Sequence, residues 1–387
     1  MTAAEMQWEQ SLYSGAPGIA LLHIANAREG RAGWDTVHEW TTSMVRHEVN
    51  ADPSASGLFE GAPAVAFALH FANRPSYGPA LVILDQHITD ATRHRMRAAH
   101  ARIDRGALPR LREFDVISGL TGLGSYCLSR TSRHPLLPEI LSYLVRLTEP
   151  VRADGELLPG WWSSDGPELR PSRAWPGGHG NLGLAHGITG PLAFLAIAMR
   201  RGVTVPGHAN AIRYICAMLD QWCQGTGAGA WWPTMLNREE WKSRTANQRV
   251  PERPSWCYGT PGITRALQLA ALALGDRSRQ HGAETALAAC ATDDHQLARL
   301  TDASLCHGWA GLIRTVQRAA DDADPDSPLA TALPSLRGRM RSHLDRVGAP
   351  TARGLMEGSD GIDLAQLDTT AHPTSAPHWD ACLLLTG

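Results

Sequence analysis

Lysine is nearly missing from this sequence: Lys242 stands alone against 35 arginines. No glycine-rich loop with a lysine partner is present, which excludes phosphoryl transfer of the kinase type. An excess of either charge is also missing. Lys+Arg 36 against Asp+Glu 38 leaves −2 over 387 residues, too weak a field to gather nucleic acid or an anionic membrane. No long hydrophobic run occurs. The longest, residues 188–199, already contains Gly190 and Pro191 and falls well short of the roughly 20 residues needed to cross a bilayer. The first residues, MTAAEMQWEQSLYSG, have neither the basic start nor the apolar centre of a secretory signal, so a cytoplasmic protein is expected. The seven cysteines form no compact CxxC pair; an odd number spread over a long chain fits reduced thiols rather than a disulfide framework. With 43% hydrophobic and 19% charged residues the chain is of folded, not disordered, composition.

What the sequence does have is an internal repeat. A Gly-x-x-Gly turn followed by an apolar segment occurs at Gly15, Gly61, Gly119, Gly187, Gly259, Gly308 and Gly358, with Ala64 replacing the second glycine in copy two. The intervals of 46 to 72 residues each hold two helices and their connections. After the later turns the apolar residues fall at helical spacing, as in Leu192, Leu195 and Met199 or Leu312, Ile313 and Val316. Seven helix pairs in series without polar end caps predict an all-α protein closed into an α/α toroid, a single domain over 1–387.

One stretch departs from the repeat. PALVILDQHIT (79–89) reads as a possible strand from its Val and Ile content. Residues 90–112 then carry Arg93, Arg95, Arg97, Arg102, Arg105, Arg110 and Arg112 against Asp90 and Asp104, either a solvated helical face or a docking surface for an acidic partner. Eight of the 13 tryptophans lie within 161–256, read mainly as packing.

Because the copies repeat, equivalent positions can be compared within the one chain. The two residues before each first glycine are Tyr13-Ser14, Phe59-Glu60, Ile117-Ser118, Ala185-His186, Cys257-Tyr258, Cys306-His307 and Met356-Glu357. In a closed ring these pairs line one mouth. Copies four to six thus bring His186, Cys257, Tyr258, Cys306 and His307 together. Two thiolates and an imidazole suit Zn²⁺ and leave one coordination position open, as in a catalytic site. Buried apolar cysteines are the other reading of Cys257 and Cys306.

Three segments, NLGLAHGITG (181–190), SWCYGTPG (255–262) and LCHGWAG (305–311), resemble the signature motifs of LanC-like lanthipeptide synthetases, the stand-alone cyclases that close thioether rings. FDVISGLTG (114–122), PGWW (159–162) and WDACLLL (379–385) are similar to that family at corresponding places, so the resemblance spans essentially the whole chain. It implies an α/α toroid with zinc held by Cys257, Cys306 and His307. It further implies active-site roles for His186, Asp115, Arg253 and Tyr258, and an inserted extension at 75–113 as a candidate for docking the peptide or a partner.

The implied substrate is a dehydrated precursor peptide made by a separate dehydratase. A cysteine thiol adds to the β-carbon of a dehydroalanine or dehydrobutyrine, with His186 as candidate general acid oriented by Asp115, and Arg253 and Tyr258 stabilising the enolate. Some members resembling this pattern instead add glutathione to dehydrated residues in proteins. A glycosidase on a similar toroid would need two facing carboxylates. Asp115 has no acidic partner in an equivalent slot, although Glu60 and Glu357 occupy such slots in other copies. A non-catalytic scaffold would have no need of an intact ligand set.

Overall fold

The computed structural model describes residues 9–367 and 377–386. Its thirteen longer helices are α1 (Ala16–Arg28), α2 (Asp35–Met44), α3 (Ala62–Ala72), α4 (Gly78–Asp104), α5 (Leu120–Arg130), α6 (Leu136–Arg146), α7 (Thr189–Arg200), α8 (His208–Trp222), α9 (Thr260–Leu274), α10 (Arg277–Thr292), α11 (Trp309–Asp322), α12 (Pro328–Val347) and α13 (Ser359–Gln366). The odd-numbered helices follow the seven glycine turns and pack on one another in order, α13 returning to α1. This is a closed inner ring. Each even-numbered helix packs outside the odd-numbered helix before it, giving the α/α toroid expected from the repeats with seven inner helices and, among the described residues, six outer ones rather than seven.

Position in the ring explains the composition of each helix. In α7 every residue from Thr189 to Ala198 is buried, as befits a helix enclosed by ring neighbours and an outer partner. The outer helix α6 buries one stripe, including Leu137, Ile140, Leu141 and Leu144. Small residues let the inner helices enter closely. A Cβ on Gly122 would lie 2.0 Å from the Val116 carbonyl oxygen and one on Gly361 1.7 Å from that of Leu355. The second glycine of a turn therefore seats the helix on the carbonyl six residues back. Positive φ is required at the first glycine only in copies two and five, at Gly61 (72°) and Gly259 (89°).

Residues 79–89 are not a strand. They belong to α4, which buries Leu81, Leu84, Ile88 and Ala91 at helical spacing while Val82 and Ile83 face solvent. Val82 and Ile83 sit on its outer side, where local propensity has little influence against the packed stripe. The arginine excess is also partly consumed inside. Arg95 donates to the Ser56 and Arg112 carbonyls, Arg102 grips Glu113 and the Ala107 carbonyl, and Arg110 pairs with Asp165.

Two features tie the ring together, the first of them at the mouth formed by the N-terminal ends of the inner helices. The residues before the glycines are joined by a cyclic series of backbone hydrogen bonds: Leu12 N to Phe59 O, Phe59 N to Ile117 O, Val116 N to Ala185 O, Leu184 N to Cys257 O, Cys257 N to Cys306 O, Cys306 N to Met356 O and Met356 N to Tyr13 O. Every copy donates to the next, and the last donates to the first. The second feature is the C-terminal segment, with a 3-10 turn at Trp379–Leu383. It accepts bonds from Arg28, Ser125, Trp256 and Arg265 and pairs Asp380 with Arg314 and Arg318. Those partners lie on α1, α5, α9 and α11 and in the loop before α9. A segment that reaches so many sides of a seven-membered ring lies across its middle.

Candidate active site and metal centre

The seam of backbone hydrogen bonds sets side chains of successive copies next to each other. Cys257 and Cys306 are joined through Cys257 N and Cys306 O at 3.3 Å, and their thiols are close enough to share a hydrogen bond. Each lies within one turn of the N-terminus of an inner helix, where the partial positive charge favours thiolate. The Cys306 thiol draws that of Cys257 down to about 6, against the effect of burial and with help from Ser255, His307 and Arg253; Cys306 itself is pushed up by the shared proton and burial.

His307 is oriented from behind. Its Nδ1 lies 2.9 Å from Asp302 and 3.2 Å from Ser304 Oγ, leaving Nε2 to face the mouth, 2.9 Å from Glu357. The bond to Asp302, together with its charge, raises the His307 pKa against the effect of burial. A carboxylate on the far nitrogen of an imidazole is the usual support of a metal-ligating histidine. The donor atoms of Cys306, His307 and Glu357 all lie within 4.8 Å of one another. Cys257 is not part of that group but stands beside Cys306, and two neighbouring thiols with an imidazole fixed in orientation fit a zinc ion.

On the other side of Cys257, His186 Nδ1 is 2.6 Å from Asp115. Asp115 is fully buried and also accepts from Ser118 N at 2.8 Å. Burial pulls the His186 pKa down, but the bond to Asp115 and its charge outweigh this, with a smaller contribution from Cys257, and the net shift is upward. Tyr258 OH accepts from Asn181 Nδ2 at 3.1 Å, and burial raises its pKa. Its ring lies where a Cβ on Gly183 would stand, 2.4 Å away, so only glycine fits there. Arg253 makes itself felt as a positive charge on Cys257, Cys306 and His307.

All seven residues singled out from the sequence therefore surround one mouth. The structure adds Tyr13, Asn181, Asp302, Ser304 and Glu357. Tyr13 and Glu357 stand in the slots of copies one and seven; copy seven adjoins copy six, and ring closure brings copy one beside copy seven. Asn181 and Asp302 carry no spacing signal, because they act by contact with a side chain on another loop or at the end of their own.

The sequence matches the model of the family described as Lanthionine synthetase C-like protein over residues 6–384. This chain belongs to that family. Among curated relatives of this LanC-like chain is "Nisin biosynthesis protein NisC" of Lactococcus lactis subsp. lactis, 24% identical over 388 residues, covering 97% of this chain and 89% of the relative. The solved structure of "Nisin cyclase" has the same fold, with a TM-score of 0.76, 22% identity, and coverage of 98% of this LanC-like chain and 92% of that one. No helix among the described residues is long and apolar enough to cross a membrane.

Proposed function

We propose that this LanC-like protein is a zinc-dependent cyclase that forms lanthionine or methyllanthionine rings in a dehydrated precursor peptide. The observation that carries the reading is Cys257 joined through its backbone to Cys306, next to the oriented His307, with the His186–Asp115 pair and Tyr258 on the other side of Cys257. Zinc held by those three residues would make a substrate cysteine thiolate at neutral pH, where a free thiol of pKa about 8.5 is mostly protonated. In the ring-forming step a C–S bond forms at the β-carbon of the dehydroamino acid and the C=C pair moves to the carbonyl oxygen as an enolate. Arg253 and the Tyr258 hydroxyl donate hydrogen bonds to that oxygen. His186, kept protonated by Asp115, delivers the proton to the α-carbon. The thiol supplies one proton and the α-carbon receives one, so no other reactant is consumed.

Three further elements belong to the reading. The dehydrated substrate comes from a separate dehydratase. Residues 75–113 serve in peptide docking, supported by the cavity of about 430 Å³ lined by Arg93, Met96, Arg97 and His100 of α4 and by Glu139 and Ser142 of α6. All seven cysteines are unpaired, as suits the reducing cytoplasm.

Zinc content of the wild type beside Cys306→Ala, followed by thiol counting after incubation with a dehydrated cysteine-containing peptide, tests the proposal. The expected result is about one zinc per chain, lost in the variant together with thiol consumption. A wild type without zinc refutes the ligand assignment, and a zinc-loaded wild type that consumes no thiol refutes the cyclase reading with that peptide.

A further inference from the structure

We infer that Glu357 is a fourth protein donor of the metal centre in the substrate-free enzyme, held within reach by Tyr13 and exchanged for the sulfur of an incoming thiolate. The inference rests on the zinc reading above and concerns what fills the remaining coordination position. Ring closure sets it up: Cys306 N bonds to Met356 O at 2.9 Å and Met356 N to Tyr13 O at 3.0 Å, so the residue after Met356 emerges beside both His307 and Tyr13. Glu357 Oε1 lies 2.9 Å from His307 Nε2 and also accepts from the Tyr13 hydroxyl. Nδ1 of His307 is occupied by Asp302 and Ser304, so this carboxylate stands on the nitrogen that would meet the metal.

The distances leave few alternatives. Zinc binds imidazole nitrogen at about 2.0–2.1 Å. An ion on the line from Nε2 towards Glu357 would come within about 1 Å of the present carboxylate oxygen, so Glu357 must either step back into ligand range or leave altogether. The Tyr13 hydroxyl bonds to that same oxygen and restrains the departure. Room for later movement exists, since the Glu357 side chain is 51% exposed and borders a cavity of about 350 Å³ shared with Asp302, His307, His343 and Val347. Charge favours the exchange as well. Two cysteine thiolates neutralise Zn²⁺, and either a carboxylate or a substrate thiolate then gives the same single negative charge. The swap requires no new countercharge in a half-buried site.

Cobalt(II) in place of zinc provides a readout that does not depend on turnover. Spectra and chelator competition would be recorded for the wild type, Glu357→Gln, Tyr13→Phe and Cys306→Ala, each without substrate and then with a short cysteine-containing peptide lacking dehydrated residues. The expected result is a changed ligand-field band and about 10–100-fold weaker cobalt binding in Glu357→Gln, a smaller change in Tyr13→Phe, and convergence of the wild-type and Glu357→Gln spectra once the peptide thiol is added. Superimposable substrate-free spectra and equal affinities for wild type and Glu357→Gln would overturn the inference. If Cys306→Ala alone loses the sulfur-to-cobalt charge-transfer band, the zinc reading survives that failure. If the wild type binds no cobalt, both fall.

Discussion

Asp115 has both carboxylate oxygens engaged, one by Ser118 N and one by His186, and no water-exposed surface. Such a residue orients an imidazole and supports its charge. Asp115→Asn keeps the shape and removes the charge that raises the His186 pKa. The expected outcome is a fall in kcat of about 10²–10⁴-fold. The alkaline limb of the pH–rate profile should move to lower pH, because the imidazolium needed as acid is lost earlier; steady-state rates between pH 5 and 9 check both. An unchanged profile would mean that His186 is not the proton donor. At this scale the sequence was informative wherever a functional residue fell in a repeated slot, as His186, Cys257, Cys306 and His307 do. It was silent on Asp302 and Asn181, whose roles are contacts to one imidazole and one phenol and leave no periodic trace.

Among the helices, the turn that opens each inner member of the ring makes the sharpest demand on sequence. Gly122→Ala would place a methyl 2.0 Å from the Val116 carbonyl and 2.9 Å from the Leu58 side chain, forcing α5 away from its own entry turn and from the loop before α3. A loss of about 1–3 kcal/mol is expected from such overpacking. Gly282→Ala, in the middle of α10 with nothing within 4 Å of the added carbon, should gain about 0.4–1 kcal/mol from a less flexible unfolded chain. Thermal or urea denaturation of the two variants side by side decides the matter: equal effects would show that the inner turn tolerates a side chain. The helices following the glycine turns were legible from spacing alone. Helix α4 was not, because Val82 and Ile83 enrich the segment in strand-forming residues while facing solvent. The apolar stripe through Leu81, Leu84 and Ile88 was the better signal.

For the molecule as a whole, the C-terminal segment joins what the repeats leave open. Burial alone would raise the Asp380 pKa, but the guanidinium groups of Arg314 and Arg318 hold it well below the ordinary carboxylate range. The carboxylate therefore contributes stability that is complete above its unfolded value of about 3.9 and is lost as pH falls through the folded one. Asp380→Asn strands the buried Arg314 and is expected to cost about 3–5 kcal/mol at neutral pH. Denaturation of wild type and variant from pH 7 to 3 should show the gap between them narrowing towards the acid end; a constant gap would refute the assignment. No spacing rule joins residue 380 to residues 314 and 318, so only the folded ring reveals that pairing. Ring closure has a consequence in time as well as in space. A ribosome releases Tyr13 long before Met356, and at about 5–20 residues per second the delay is roughly 17–70 s. During that interval every earlier copy can pair with its neighbour, yet the bond from Met356 N to Tyr13 O cannot form. The newborn toroid is an open arc whose two ends await each other, and the mouth that holds Tyr13, His307 and Glu357 is among the last parts of the protein to exist.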